Sequence, residues 1–66
     1  MTEEEYWAAI RRVPLYQERD STDGSAVICR DVNNQPVSVT KPDRLTPDER
    51  VAAAAQYKSL YGPSIN

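Results

Sequence analysis

Apolar side chains recur with helical spacing near both ends of the chain and with strand spacing in its middle. In the N-terminal segment, four of them fall at positions i, i+3, i+4 and i+7, namely Tyr6, Ala9, Ile10 and Val13. Thr2 and Glu5 have the spacing of a capping box, in which each side chain accepts a hydrogen bond from the other's backbone N–H. Pro14 disfavours helical backbone at the residue before it. The pattern predicts a helix over residues 3–12.

The last third of the chain carries the signals of a second helix at both ends. Thr46 is a natural N-cap, Pro47 suits the first helical position, and Glu49 completes a second capping box. Gly62 and Pro63 supply the stop. These signals predict a helix over residues 47–61, followed by a frayed tail over residues 63–66. Most of its apolar area belongs to three residues, namely Tyr57, Leu60 and Tyr61.

Three short segments between the helices are typical of β-strands, over residues 15–20, 26–32 and 36–40. The first is polar, so the sheet has either two or three strands. Asp23-Gly24 and Asn33-Asn34 are turn sequences that separate the segments. Pro36 and Pro42 bracket the third segment, which favours a strand at the edge of the sheet.

The second turn leaves two registers open. A two-residue loop at Asn33-Asn34 places Ile28 opposite Val39, whereas a three-residue loop over 33–35 places Cys29 opposite Val39. The side chains of a strand alternate between its faces, so the choice between the registers decides whether Cys29 is exposed.

The fold class that follows is α+β. We expect an N-terminal helix, a two- or three-stranded antiparallel β-meander, and a C-terminal helix packed on the sheet, all within one small domain over residues 1–66. A domain of this length has a small core, which a partner or an oligomer would help to stabilise.

Composition removes several classes of protein. Cys29 is the single cysteine and histidine is absent, which excludes an internal disulfide and a Cys/His metal site. The net charge of −2, with acidic and basic residues interspersed, gives no general argument for binding to nucleic acid or to a membrane surface. No apolar run has the length of a transmembrane helix or a signal-peptide core, and we expect a soluble, cytoplasmic protein.

No set of residues has the pattern of an active site. Without histidine as a base, Cys29 is expected to be a packed thiol. Asp20, Asp23 and the glycine that follows resemble half of a calcium loop, but the remaining ligand positions do not fit, so a turn is the simpler interpretation. We therefore expect no catalytic residue, no cofactor, no metal and no enzymatic activity.

Two hypotheses for function remain. The preferred one is a non-enzymatic interaction or accessory module that binds a protein, with a second copy of the chain as one candidate partner. The aromatic residues are enriched at protein interfaces, and the candidate partner-binding residues are Tyr6, Trp7, Tyr16, Tyr57 and Tyr61. The alternative is a small nucleic-acid-binding regulator with an arginine-rich surface. Its candidate contacts to phosphate or to an acidic partner are Arg11, Arg12, Arg19, Arg30 and Arg44.

Overall fold

The computed structural model of the protein describes residues 1–62, with Gln17 and Glu18 described as backbone only. Its elements are α1 (Glu3–Arg11), β1 (Tyr16–Asp20), β2 (Ala26–Arg30), β3 (Pro36–Thr40), a 3₁₀ helix (Pro42–Arg44) and α2 (Pro47–Tyr61). The strands form an antiparallel sheet with β2 in the centre, and both helices contribute to a core on one of its faces. This confirms the predicted α+β class with three strands. The predicted tail lies outside the described residues.

Both predicted capping boxes are present. Thr2 Oγ1 accepts a hydrogen bond from the Glu5 N–H (3.1 Å), and Glu5 Oε1 accepts one from the Thr2 N–H (2.8 Å). The hydrogen bond that the Glu5 carboxylate accepts from the backbone of Thr2 holds the pKa of Glu5 below its usual value. Thr46 and Glu49 repeat the arrangement at the start of α2. Because each box satisfies two otherwise unpaired N–H groups, the sequence located both helix starts correctly.

The register between β2 and β3 differs from both sequence alternatives. Cys29 lies opposite Val37, and Val27 lies opposite Val39. The loop has three residues, as in the second alternative, but it comes one residue earlier, at 32–34. Strand β2 therefore ends two residues before its predicted end. The side chains of β2 nevertheless lie on the faces that the three-residue loop predicts. Cys29 shares a face with Val37 and Val39, and it is buried.

Asp31 is the physical reason for the earlier loop. Its Oδ1 accepts hydrogen bonds from the N–H groups of Asn33 and Gln35, both at 2.9 Å, and its carbonyl accepts one from Asn34. Asn34 then takes a left-handed backbone with φ of 62°. A tight turn followed by a left-handed residue is a common three-residue hairpin loop.

Substitution of Asn34 tests this turn. We expect Asn34→Val to lower the free energy of unfolding by about 1–2 kcal/mol, because a β-branched side chain is strained at positive φ. Asn34→Gly is the matched control and is expected to change it by less than about 0.5 kcal/mol, because glycine adopts this backbone without strain. Urea denaturation followed by circular dichroism measures both. Equal losses in the two variants would contradict the assignment.

The core is a single layer of side chains between the sheet and the helices. The sheet supplies Val27, Cys29, Val37 and Val39, and the helices supply Tyr6, Ile10 and Ala54. The molecule is a slab of 32 × 27 × 15 Å. It therefore has two broad surfaces, one formed by the helices and one by the uncovered face of the sheet.

Candidate functional site

Tyr6 lies at the centre of the core. Its side chain is 0% exposed, and its hydroxyl donates to the carbonyl of Thr40 at 2.6 Å. Burial raises the pKa of Tyr6, and the neighbouring Tyr57 hydroxyl adds to the rise. Tyr6, one of the five candidate partner-binding residues, is therefore buried in the folded chain, and the edge of β3 gives its hydroxyl a partner inside the molecule.

Tyr57 completes the same arrangement from α2. Its hydroxyl accepts a hydrogen bond from the N–H of Thr40 at 3.2 Å. Alternate residues of an antiparallel edge strand direct both backbone groups away from the sheet. Thr40 is such a residue, because the N–H of the next residue, Lys41, points inward and donates to the carbonyl of Ser25, just before β2. The two tyrosines thus satisfy the outward N–H and C=O of Thr40 and tie α1 and α2 to β3.

The remaining aromatic candidates are divided between the core and the surface. Trp7 is half-buried, with its ring in edge-to-face contact with Tyr6 at a centroid distance of 5.8 Å. Tyr61 is also half-buried and packs against the core. Tyr16 is 64% exposed. Of the five candidates, which all lie within residues 1–62, Tyr16 alone is mostly exposed.

The uncovered face of the sheet brings Tyr16 together with two of the five candidate arginines. Val27 and Cys29 of β2 point toward the helices, so Ile28 and Arg30 point the opposite way. Arg30 lies opposite Tyr16, and Ile28 lies opposite Arg19. Arg30 Nη1 donates to the carbonyl of Asn34. The strand side chains described on this face carry positive charge and include no carboxylate.

The other three candidate arginines lie elsewhere. Arg11 lines a shallow pocket of about 230 Å³ beside Trp7 and Cys29. Arg12 lines a groove between the helices, and Arg44 is exposed on the 3₁₀ helix. The nucleic-acid hypothesis required all five to converge on one surface, and the structure brings together only Arg19 and Arg30.

A groove with a volume of about 460 Å³ lies between α1 and α2. We call it the helix groove. Its apolar lining consists of Met1, Ala9, Val13, Val51, Ala54 and Ala55, and its cationic lining consists of Arg12 and Lys58. Val51 is 50% exposed there. The sequence signal for this groove is the run of alanines over residues 52–55, whose small side chains leave space beside α2.

The two helices run in the same general direction. Arg50 Nη1, near the start of α2, donates to the carbonyl of Met1 at 3.1 Å. At the opposite end, Val13 and Gly62 line the same groove. The two N-termini are therefore neighbours, and so are the two C-termini.

This direction separates charge along the helix surface. The first turns are acidic and contain Glu3, Glu4, Glu5, Asp48 and Glu49. The last turn of α1 contains Arg11, with Arg12 as its C-cap, and the last turn of α2 contains Lys58. These full charges outweigh the roughly half charge of opposite sign at each helix end. Arg50 and the amino group of Met1 also lie at the acidic end, where the five carboxylates outnumber them. The helix surface is therefore negative at one end and positive at the other.

The remaining candidate chemistry has local explanations. Cys29 is buried, with Sγ 4.0 Å from the carbonyl of Val27, in agreement with a packed thiol. Asp23 Oδ1 accepts hydrogen bonds from Ser21 and Ser25, which lower the pKa of Asp23 to about 2. These bonds form a turn, as predicted. Among the side chains that the structure describes, no three histidine, cysteine, aspartate or glutamate residues are arranged so that they could hold a metal ion.

Comparisons with protein-family models, with curated proteins and with solved structures give no match to this chain. None of the helices within residues 1–62 is long and apolar enough to cross a bilayer. The fold and its surfaces define the class as a small two-layer α+β protein with a helix groove on one side and an uncovered, arginine-bearing sheet face on the other.

Proposed function

We propose that this protein is a small non-enzymatic interaction module that binds a protein partner through the helix groove. The observation that carries the proposal is the groove itself, a concave apolar surface of about 460 Å³ with Val51 half-exposed at its margin. Contact with a partner would remove this apolar area from water and would stabilise a domain whose own core is small.

The lining of the groove is typical of a protein-binding surface rather than of a small-molecule site. Ala9, Ala54 and Ala55 allow the backbone of a partner to approach closely, and the cations stand at the rim. An apolar centre with a charged rim is the usual composition of protein interfaces. We propose that the protein acts in the cytoplasm, and the single thiol of Cys29 agrees with a reducing compartment.

The nucleic-acid alternative has less support. Its positive surface is reduced to Arg19 and Arg30 on the uncovered sheet face, and Arg30 is engaged with its own β2–β3 loop. Two arginines supply few phosphate contacts, whereas nucleic-acid affinity depends on the number of phosphates neutralised.

A charge placed in the groove tests the proposal. We expect Val51→Glu to weaken partner binding at least about tenfold, because a carboxylate would have to be buried in an apolar contact. Fold stability should change little, since Val51 is half-exposed. The matched control is Gln56→Glu, which adds the same charge to an exposed position of α2 outside the groove lining.

The measurement is affinity capture from native extract with the wild-type chain and both variants, followed by titration of the purified captured protein. The proposal also covers capture of a second copy of the chain. Equal binding by wild type and Val51→Glu would overturn it, as would loss of binding in Gln56→Glu alone.

A further inference from the structure

We infer that the partner of the helix groove is a second copy of this chain, packed with its helices antiparallel to those of the first. This inference rests on the proposed function and names the partner of the same surface. It follows from the distribution of charge along the helix surface and from the contrast between the two broad surfaces of the slab.

The charges on the helix surface are self-complementary. Glu5 lies one turn before Ala9, and Asp48 lies one turn before Val51, so both acids extend the groove toward the N-terminal end. Arg12 and Lys58 line its C-terminal end. A two-fold axis perpendicular to the helices would bring each acidic end against the basic end of the other copy, twice in one interface.

The alternative arrangements are disfavoured by the same charges. Two copies stacked with their helices in the same direction would place acids on acids and bases on bases, which is costly in a contact that excludes water. Two copies joined through the uncovered sheet face would bring Arg19 and Arg30 against the same residues of the other copy. Among the side chains that the structure describes, the charges of the helix side are arranged to complement themselves in a two-fold pair.

The size of the surface is adequate for a dimer. A stable interface buries about 800 Å² on each partner, and the broad surfaces of a slab measuring 32 × 27 Å are the ones large enough to supply such an area. The exposed alanines beside the groove, Ala8 on α1 and Ala55 on α2, permit the helices of two copies to approach closely.

Reversal of one charge at either end of the helix surface tests the inference. We expect Lys58→Glu to raise the dimer dissociation constant at least about tenfold, because the new glutamate faces Asp48 of the other copy. Asp48→Lys should raise the dissociation constant by a similar factor, because the new lysine faces Lys58 of the other copy. An equimolar mixture of the two variants should form a heterodimer with nearly wild-type affinity, because each new charge then meets its opposite.

Sedimentation equilibrium on the full chain, up to ~1 mM, measures all of these. Gln56→Glu is the control and is expected to leave the dissociation constant unchanged. Circular dichroism verifies that each variant is folded. If a charge reversal unfolds the chain, Lys58→Gln and Asp48→Asn take its place, and each is expected to weaken the dimer about threefold without recovery on mixing.

Three results would overturn the inference: a wild-type chain that stays monomeric up to ~1 mM, charge reversals that leave the dimer unaffected, or a mixture no tighter than either variant alone. A monomeric chain whose groove still captures a different protein, with that capture lost in Val51→Glu, would refute the dimer and leave the proposed function intact. A monomeric chain whose groove captures no other protein would refute both the dimer and the proposed function.

Discussion

Replacement of Tyr6 by alanine is expected to remove most of the stability of the fold. Deletion of a buried aromatic side chain typically costs about 3–5 kcal/mol, and a domain of this length has about 3–10 kcal/mol in total. Tyr6 is 0% exposed and contacts Trp7 and the strand core. We expect Tyr6→Ala to be largely unfolded at 37 °C, as measured by circular dichroism and thermal denaturation. A cooperative transition within a few degrees of the wild-type midpoint would contradict this expectation.

Tyr6→Phe separates the ring from the hydroxyl. The ring still fills the core, but the carbonyl of Thr40 loses its 2.6 Å hydrogen bond, and we expect a loss of about 1–2 kcal/mol. The variant should also change the response to alkali. The folded-state pKa of Tyr6 lies above the usual value of 10.0, so its contribution is intact below pH 10 and declines as the pH rises above 10.

Urea denaturation between pH 8 and about pH 11 measures this decline, since the free tyrosine pKa is about 10. The wild-type chain is expected to lose stability above pH 10, and Tyr6→Phe is expected to lose less. Tyr16→Phe is the matched control, because Tyr16 is mostly exposed and should leave the wild-type decline unchanged. Identical pH profiles for wild type and Tyr6→Phe would show that Tyr6 ionises equally in both states.

Arg50→Ala is expected to have the second-largest effect on stability, a loss of about 2–4 kcal/mol. Arg50 Nε donates to the carbonyl of Pro42 at 2.8 Å, and its Nη1 donates to the carbonyl of Met1 at 3.1 Å. Hydrogen bonds from a charged group contribute about 1.5–3 kcal/mol each, and partial exposure reduces that figure. Arg50 joins α2 to the start of α1 and to the 3₁₀ helix, so its loss should also increase hydrogen exchange in the first turn of α1.

Arg50→Lys is the matched control for Arg50→Ala. Lysine keeps the charge but lacks the planar set of donors that reaches two carbonyls at once. We expect it to recover less than half of the lost stability, measured by urea denaturation together with hydrogen exchange of the α1 amides. Full recovery by lysine would show that charge, and not the pair of hydrogen bonds, is the contribution of Arg50.

Signals close together in the sequence predicted most of the fold correctly. Both helix starts depend on side chains three residues from their partners, at Thr2 and Thr46, and such local hydrogen bonds can be identified without a structure. The positions of β2 and β3 follow from β-branched residues and turn sequences over similarly short distances, whereas β1 is polar and the sequence left its formation open. The order of elements was therefore predictable.

Sequence spacing was insufficient in two situations: where neighbouring residues suit a turn equally well, and where a side chain contacts a residue far away in the sequence. Asn33 and Asn34 both suit a turn, and the register depended on Asp31, which accepts two N–H groups that the sequence pattern does not specify. The spacing places Tyr6 on the apolar face of α1, but it does not indicate that its hydroxyl donates to Thr40, which lies 34 residues away. Such long-range contacts are set by tertiary packing and not by spacing.

The candidate site was only partly predictable for the same reason. The charges at the helix ends are explained locally by the helix dipoles, and they give no sign of how one helix lies relative to the other. The shared direction of α1 and α2 depends on contacts such as that of Arg50 with Met1. Because the helices share a direction, their acidic first turns lie together and their basic last turns lie together, so the helix surface has one negative end and one positive end.

The two edge strands of the sheet, β1 and β3, are poor sites for the addition of a strand from another chain. On β3, proline at position 36 has no N–H to donate, and the outward groups of Thr40 are taken by Tyr6 and Tyr57. On β1, the irregular pairing between Gln17 and Arg19 interrupts the ladder. Neither strand offers a long, regular template for another chain. Growth by strand addition into filaments is thereby suppressed, and the two-fold dimer that we infer through the helix groove would close at two copies.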